Sequence, residues 1–162
     1  MFLLDTDILS NLRKIKPHPH LIPWIDATGW PEVASSVINV MEIQIGIERV
    51  RRSEPALATS VQEWLAGLLQ AGRMQILSLE TDAAIILGKM YESPPLRNCL
   101  IAEPGSRRPR TGADLAIAAI AISAGAVVAT NNERDFLTIH RHFPLPGLFN
   151  PLERRWSVAK AP

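Results

Sequence analysis

Apolar residues along this chain follow two alternating patterns, short uninterrupted runs and longer stretches with helical spacing. The short runs predict strands at residues 2–4, 33–38, 74–79 and 126–129. The spaced stretches predict helices at residues 7–14, 21–27, 40–50, 55–71 and 81–91, and an Ala/Ile-rich helix that Thr111 caps. Strands that alternate with helices predict an α/β fold with a mostly parallel central sheet and helices on both faces.

The chain of 162 residues is long enough for one domain, which we place at residues 1–152. Residues 93–110 hold several prolines among basic residues, without periodicity, and predict a long loop. A helical turn is expected at 136–139, a final edge strand at 148–151 and a mobile tail at 153–162. The longest apolar run, 115–129, is broken by Ser123 and Gly125 and is shorter than the roughly 20 residues of a membrane-spanning helix.

Composition adds two expectations. The single Cys99 has no partner for an internal disulfide, so a reducing, cytoplasmic environment is the default. The formal net charge of +1 is too small to indicate nucleic-acid binding by itself. Arginines nevertheless cluster in the predicted loop, where they either coat a solvated surface or contact phosphates. These arginines are Arg97, Arg107, Arg108 and Arg110.

Acidic residues stand at the predicted strand ends and helix starts that share one edge of a doubly wound sheet. Asp5 ends the first strand, and Glu42 and Asp114 lie in the first turns of two helices. Several ionised carboxylates cannot crowd together without a cation, and an all-oxygen set suits Mg²⁺ or Mn²⁺ better than zinc. We therefore predict that these acids hold a divalent metal.

Each of these residues also has a purely structural interpretation. Asp5 or Asp7 can cap the first helix, and we favour that role for Asp7. Glu42 can be a solvated helical residue, Asp114 can form a capping box with Thr111, and Asp135 can be a surface acid beside Arg134. The histidines form two His-x-His pairs without the spacing of known zinc sites, so we do not assign them to a metal. They are His18, His20, His140 and His142.

Four segments together resemble the PIN-domain ribonucleases, in particular the small toxins of the VapC type. They are LLDTDILS (3–10), SVINVMEI (36–43), ADLAIAA (113–119) and VATNNERDF (128–136). None is specific alone, but all four occur in the family's order and spacing. The ending LFNP (148–151) is similar to toxins of the plasmid-stability and FitB kind. The resemblance covers nearly the whole chain.

The resemblance implies a single PIN domain of Rossmann-like α/β/α architecture that hydrolyses RNA phosphodiesters with Mg²⁺ or Mn²⁺. Asp5, Glu42 and Asp114 would hold the metal, Asp135 would be the fourth catalytic acid, and Thr130 would support them. A homodimer and a cognate antitoxin that covers the site are implied as well. Arginines around the cleft would hold the RNA strand through its phosphates.

One departure from the family pattern concerns the fourth acid. Many members carry it two positions after the Thr of the fourth segment, where this chain has Asn132. Either Asp135 replaces that acid or the fourth position is weakened, which keeps a non-catalytic PIN-like binding domain as an alternative. A haloacid-dehalogenase-like phosphatase is a second alternative, because Asp5-Thr6-Asp7 also resembles that family's first motif.

Overall fold

The computed structural model describes residues 1–99 and 112–160. Six strands lie in this part of the chain. They are β1 (Phe2–Leu4), β2 (Val33–Ser36), β3 (Gln75–Leu77), β4 (Val127–Ala129), β5 (Leu148–Asn150) and β6 (Arg155–Val158). The helices of the same part are α1 (Thr6–Leu12), α2 (Leu21–Thr28), α3 (Val37–Val50), α4 (Pro55–Ala71), α5 (Thr81–Tyr91), α6 (Ala113–Ala124) and α7 (Glu133–His140).

The strands form one sheet in the order β3-β2-β1-β4-β5-β6. All neighbouring pairs are parallel except β5 and β6, which are antiparallel. The predicted α/β class with a mostly parallel sheet is therefore confirmed. The chain runs outward in one direction from β1 and in the other from β4, so these two strands meet at the switch point where α/β sheets place their functional crevices.

Two apolar cores cover the two faces of the sheet, because successive strand residues point to opposite sides. Leu3 packs into the first core with Leu115 and Phe136, and Leu4 into the second with Ile8 and Leu9. Helix α6 is buried from Leu115 to Ala121, which explains why its sequence is apolar all round rather than amphipathic. In the described ranges, 1–99 and 112–160, no helix has the length and apolar character needed to cross a membrane.

The C-terminal part of the sheet differs from our expectation. We predicted a final edge strand at 148–151 and a mobile tail after it, but β5 lies between β4 and β6, and β6 occupies the edge. The tail contains a strand because the Trp156 ring packs against Phe149, with centroids 4.9 Å apart, and against Phe2 at 6.0 Å. A single aromatic residue among charged ones gave too weak a sequence signal for this strand.

The start of α3 also differs from the prediction. We expected Asn39 to cap this helix, but Ser36 is the cap, and Asn39 lies three residues inside. The two residues form a capping box, in which the Ser36 hydroxyl accepts from the Asn39 backbone N–H and the Asn39 side-chain oxygen accepts from the Ser36 N–H. Both residue types can cap a helix, and the earlier one does so. As a result Glu42 lies in the second turn of α3, not the first.

The predicted long loop at 93–110 is only partly described. Pro94–Cys99 form a 3₁₀ helix whose Leu96 is fully buried, so this part is not the irregular loop that we expected. Residues 100–110, with Arg107, Arg108 and Arg110, lie outside the described residues, as does Thr111. The N-cap of α6 is Gly112, whose φ is positive, so the prediction that Thr111 caps this helix is wrong. The predicted helical turn at 136–139 is longer than expected and forms α7.

The contact between β5 and the C-terminal strand leaves no room beside Gly147. A Cβ there would lie 3.0 Å from Val127 Cγ2 and 3.3 Å from Lys160 Cα. We expect Gly147→Ala to lower the free energy of unfolding by about 1–3 kcal/mol through overpacking, measured by urea denaturation. Gly67→Ala, at an exposed helical position with nothing within 4 Å of the added Cβ, is the control and should stabilise by about 0.5–1 kcal/mol. Unchanged stability of Gly147→Ala would contradict this packing.

Candidate metal and active site

Asp5 lies at the carboxyl end of β1, at the switch point of the sheet, and is only 4% exposed. Its backbone N–H donates to Ala129 O at 2.9 Å, which continues the pairing of β1 with β4. One carboxylate oxygen accepts from the Thr6 backbone N–H at 2.6 Å and so caps α1. The other accepts from the Thr130 hydroxyl at 2.7 Å. Asp5 therefore both caps a helix and occupies the crevice, two roles that we had weighed against each other.

Burial raises the pKa of Asp5 well above its usual range, and the negative charges of Asp7 and Asp114 raise it further. The hydrogen bonds from Thr130 and Thr6 act in the opposite direction without reversing the shift. The structure thus brings Asp5 and Asp114 within electrostatic range of each other, as the sequence predicted for these two. A carboxylate with neighbouring negative charges and little water is a group that a bound cation would stabilise.

Asp7 is part of this acidic site, although we had interpreted it as a helix cap. Its carboxylate accepts from the Asn131 backbone N–H at 3.1 Å, and the cap of α1 is Asp5 instead. Partial burial also raises the pKa of Asp7, whose side chain remains in contact with solvent. In the sequence, this role was indicated only by the position of Asp7 in the LLDTDILS segment, where PIN-domain proteins commonly have Asn.

Glu42 is connected to Asp5 through Thr6. The Thr6 hydroxyl donates to Glu42 Oε2 at 2.6 Å, while the Thr6 backbone N–H donates to Asp5. The Thr6 hydroxyl also accepts from the side-chain amide of Asn39 at 2.9 Å, and Asn39 is fully buried in the capping box of α3. Because the capping box fixes Asn39, the start of α3 positions Thr6 and through it Glu42.

Asn132 joins the third acid to the fourth candidate. Its side-chain amide donates to Asp135 Oδ2 at 3.1 Å and more weakly to Asp114 Oδ2 at 3.4 Å. Its backbone N–H donates to the Thr130 hydroxyl at 2.8 Å, which in turn donates to Asp5. Asn132 and Asp135 therefore both face the site, because α7 begins at Glu133 and returns Asp135 toward the residue before the helix.

A polar cluster behind the site fixes the loop that carries Asn131 and Asn132. Asn150 is 1% exposed, and its side-chain amide donates to Glu133 Oε1 at 2.8 Å and to Asn131 Oδ1 at 3.3 Å. Partial burial raises the pKa of Glu133, but hydrogen bonds from Asn150 and Ser157 and the charge of Arg155 outweigh that effect and lower it. Sequence analysis included Glu133 in the fourth segment without giving it a role, and it missed Ser157 because Ser157 lies in the unpredicted β6.

The remaining sequence candidates are Arg97 and the histidines. Arg97 is exposed on the 3₁₀ helix. The imidazoles have structural contacts: His20 Nδ1 is 2.7 Å from Leu152 O, and His140 Nδ1 accepts from the Leu145 N–H at 3.0 Å. The His18 and His20 rings contact each other edge to face.

The chemistry of the donors fits a hard divalent cation, since every candidate ligand offers oxygen and the central carboxylate has a raised pKa. As the side chains stand, no three acidic, histidine or cysteine residues among those described come close enough to enclose an ion. The charge of Asp114 acts on Asp5, and Glu42 is connected to Asp5 through Thr6.

The raised pKa of Asp5 predicts how stability depends on pH in metal-free protein. The folded state binds the Asp5 proton more tightly than the unfolded state, so the contribution of Asp5 to stability is greatest below about pH 4 and is lost as pH rises through the folded pKa. For one group the slope is at most about 1.4 kcal/mol per pH unit. We expect the free energy of unfolding in EDTA to decline less over this range in Asp5→Asn than in wild type. Identical pH dependence in the two proteins would contradict the shift.

A sequence model of the family described as "PIN domain" matches residues 2–141. The chain is 27% identical over 138 residues to the plasmid stability protein StbB of Pseudomonas syringae pv. tomato, which covers 84% of this chain and 91% of that protein. It is 28% identical over 137 residues to the VapC ribonuclease Y4jK of Sinorhizobium fredii, with coverage of 84% and 90%. Its fold is similar to DNA-bound VapBC from Salmonella typhimurium, with a TM-score of 0.62, 27% identity and coverage of 93% and 97%.

The region that the family model matches includes the β1–β4 switch point and all four acidic motifs. The resemblance to haloacid-dehalogenase-like phosphatases, by contrast, is limited to Asp5-Thr6-Asp7. Since the matched region covers most of the sequence, this chain belongs to the PIN-domain family.

Proposed function

We propose that the protein is a divalent-metal-dependent ribonuclease, the toxin of a toxin–antitoxin pair. The observation that carries the proposal is that Asp5, at the switch point between β1 and β4, is connected to Asp114 through the hydrogen bonds of Thr130 and Asn132. The name of the Sinorhizobium relative as a VapC ribonuclease and the likeness to a VapBC structure support it.

In the proposed reaction Asp5 and Asp114 hold the cation, Mg²⁺ or Mn²⁺, and Glu42 completes the acidic site from the side of Thr6. A cation bound there would activate water and neutralise charge that develops on the phosphate. Thr130 keeps Asp5 oriented through its 2.7 Å hydrogen bond. Asn132 orients Asp114 and Asp135, in the way that groups behind a metal site position its ligands.

The partners that we propose are an RNA strand, an antitoxin and a second copy of the chain in a homodimer, in the cytoplasm. The RNA is expected to contact basic residues around the site, with Arg97 as the candidate that the structure describes. The antitoxin is expected to cover the acidic crevice, which would inhibit cleavage by excluding RNA.

Cleavage of RNA by the purified protein tests the enzymatic part. We expect cleavage with Mg²⁺ or Mn²⁺, none in EDTA, and products with a 5′-phosphate and a 3′-hydroxyl, identified by whether a 5′-phosphate-dependent exonuclease degrades them. Asp5→Asn serves as the control for a contaminating nuclease. RNA binding without metal-dependent cleavage would instead support the non-catalytic PIN-like alternative.

The toxin part needs a separate test. Expression in a bacterial host should arrest growth, and co-expression of the protein encoded by the adjacent open reading frame should relieve the arrest and co-purify with this chain. Growth arrest that persists in Asp5→Asn would contradict a toxic effect through RNA cleavage.

A further inference from the structure

A cleft of about 420 Å³ opens between α1, α3 and α4, directly beside the acidic site. It begins at Thr6 and Glu42, which are the residues that connect the cleft to Asp5. This volume lies in the range of pockets that hold small organic ligands, about 300–1,000 Å³. A group that occupies the cleft would therefore lie next to whatever is bound at the acidic crevice.

The part of the cleft away from Glu42 is apolar and contains an aromatic ring. Val61 and Trp64 line it from α4 and Val50 from α3, and all three side chains are half-buried rather than sealed in the core. A partly open indole next to aliphatic side chains is a surface on which a planar ring can stack. Stacking of this kind tolerates any base, because every base has a π face.

Two arginines also line the cleft, Arg13 from the end of α1 and Arg49 from α3. Neither forms an ion pair or a side-chain hydrogen bond within residues 1–99 and 112–160, whereas the nearby Arg51 is bound to Glu48 and Gln62. The charged residues that line the cleft are these two arginines and the single carboxylate of Glu42, so the arginines outnumber the acid. An excess of cations beside an apolar cleft suits an anionic ligand, and guanidinium groups suit phosphate in particular.

We propose that this cleft binds one nucleotide of a single-stranded RNA, with its base against Trp64 and its phosphates at Arg13 and Arg49. The assignment of RNA as the ligand rests on the proposed function. The combination of an aromatic ring with an excess of cations favours a nucleotide over an apolar side chain of a protein partner, which would gain nothing from the arginines. The bound nucleotide would flank the one at the acidic crevice.

Binding in EDTA separates this inference from catalysis, since no cleavage is expected without metal. The probe is a short fluorescein-labelled single-stranded RNA of mixed sequence, followed by fluorescence anisotropy. We expect Arg13→Gln and Arg49→Gln each to weaken binding by roughly tenfold at about 0.1 M salt and to reduce the salt slope by about 1. Arg52→Gln is the matched control, because Arg52 is exposed, carries the same charge and does not line the cleft.

The aromatic contact is tested with two substitutions of Trp64. Trp64→Leu should weaken binding by roughly five- to hundredfold through loss of stacking, and Trp64→Phe should retain most of the affinity. Ultraviolet cross-linking of the RNA, followed by peptide mapping, should locate the attachment within α4 in wild type. Circular dichroism of each variant checks that the fold is intact.

The inference is overturned if the cleft arginine variants lose no more affinity than Arg52→Gln, or if cross-links map outside the cleft. It is also overturned if these variants no longer bind the antitoxin but still bind RNA with wild-type affinity, which would assign the cleft to a protein partner. Failure of the proposed function gives a different result: the wild type would bind RNA in the cleft but would not cleave it with any divalent metal.

Discussion

Asn in place of Asp5 is expected to reduce the rate of RNA cleavage by about a thousandfold or more, which corresponds to several kcal/mol of lost transition-state stabilisation. Asp5 is the most buried acid of the site and accepts hydrogen bonds from Thr6 and Thr130, so it has the most fixed position among the proposed ligands. Initial rates at saturating Mg²⁺, with an RNA that the wild type cleaves, measure the effect.

The same substitution should leave the fold intact or stabilise it. An amide still accepts the hydrogen bond from Thr6, and it removes one of the charges that repel each other at Asp7 and Asp114. Asp26→Asn, at an exposed position on α2, is the matched control and should cleave RNA like the wild type. Wild-type activity in Asp5→Asn would show that the catalytic site lies elsewhere.

Asp135→Asn is expected to weaken Mg²⁺ affinity or cleavage by roughly ten- to hundredfold, more than Asn132→Ala and less than Asp5→Asn. A neutral amide binds a cation more weakly than a carboxylate does. Asp135 faces the site, since its Oδ2 accepts from the Asn132 side-chain amide at 3.1 Å. Cleavage rates measured against Mg²⁺ concentration in both variants distinguish the two residues.

The contact between these two residues makes the comparison informative. Asn132 also contacts Asp114, so Asn132→Ala removes an orienting group, whereas Asp135→Asn removes a charge. The dependence of the cleavage rate on salt and pH should distinguish the two effects, because only the loss of a charge changes the electrostatics of the site. If Asp135→Asn behaves like wild type while Asn132→Ala fails, Asn132 is the fourth residue and Asp135 is structural.

The sequence predicted the fold well where burial dictated the pattern. Helices α4 and α5 have the predicted bounds, since their apolar spacing and the left-handed Gly72 after α4 leave little choice. It failed at β6, where pairing with β5 and packing of Trp156 form the strand, and neither is visible in local sequence. It also failed at α3, where Ser36 and Asn39 both cap well and only the geometry selects Ser36.

For the site, the sequence could place Asp5 and Asp114 together because strand ends and helix starts share one edge of a parallel sheet. It could not show that Thr6 connects Asp5 to Glu42, because that contact depends on the rotation of α3 set by its capping box. The sequence could not show the role of Asn150 either. Its role depends on β5 lying beside the loop after β4, which is a property of strand order.

Calorimetric titration of Mn²⁺ into metal-free protein tests the central claim, that Asp5 and Asp114 hold a divalent cation, without relying on RNA cleavage. We predict saturable binding to wild type, retained in Asp26→Asn and weakened at least about tenfold in Asp5→Asn and in Asp114→Asn. The account would be contradicted if both site variants bound Mn²⁺ with wild-type affinity, or if the wild type did not bind Mn²⁺ at all.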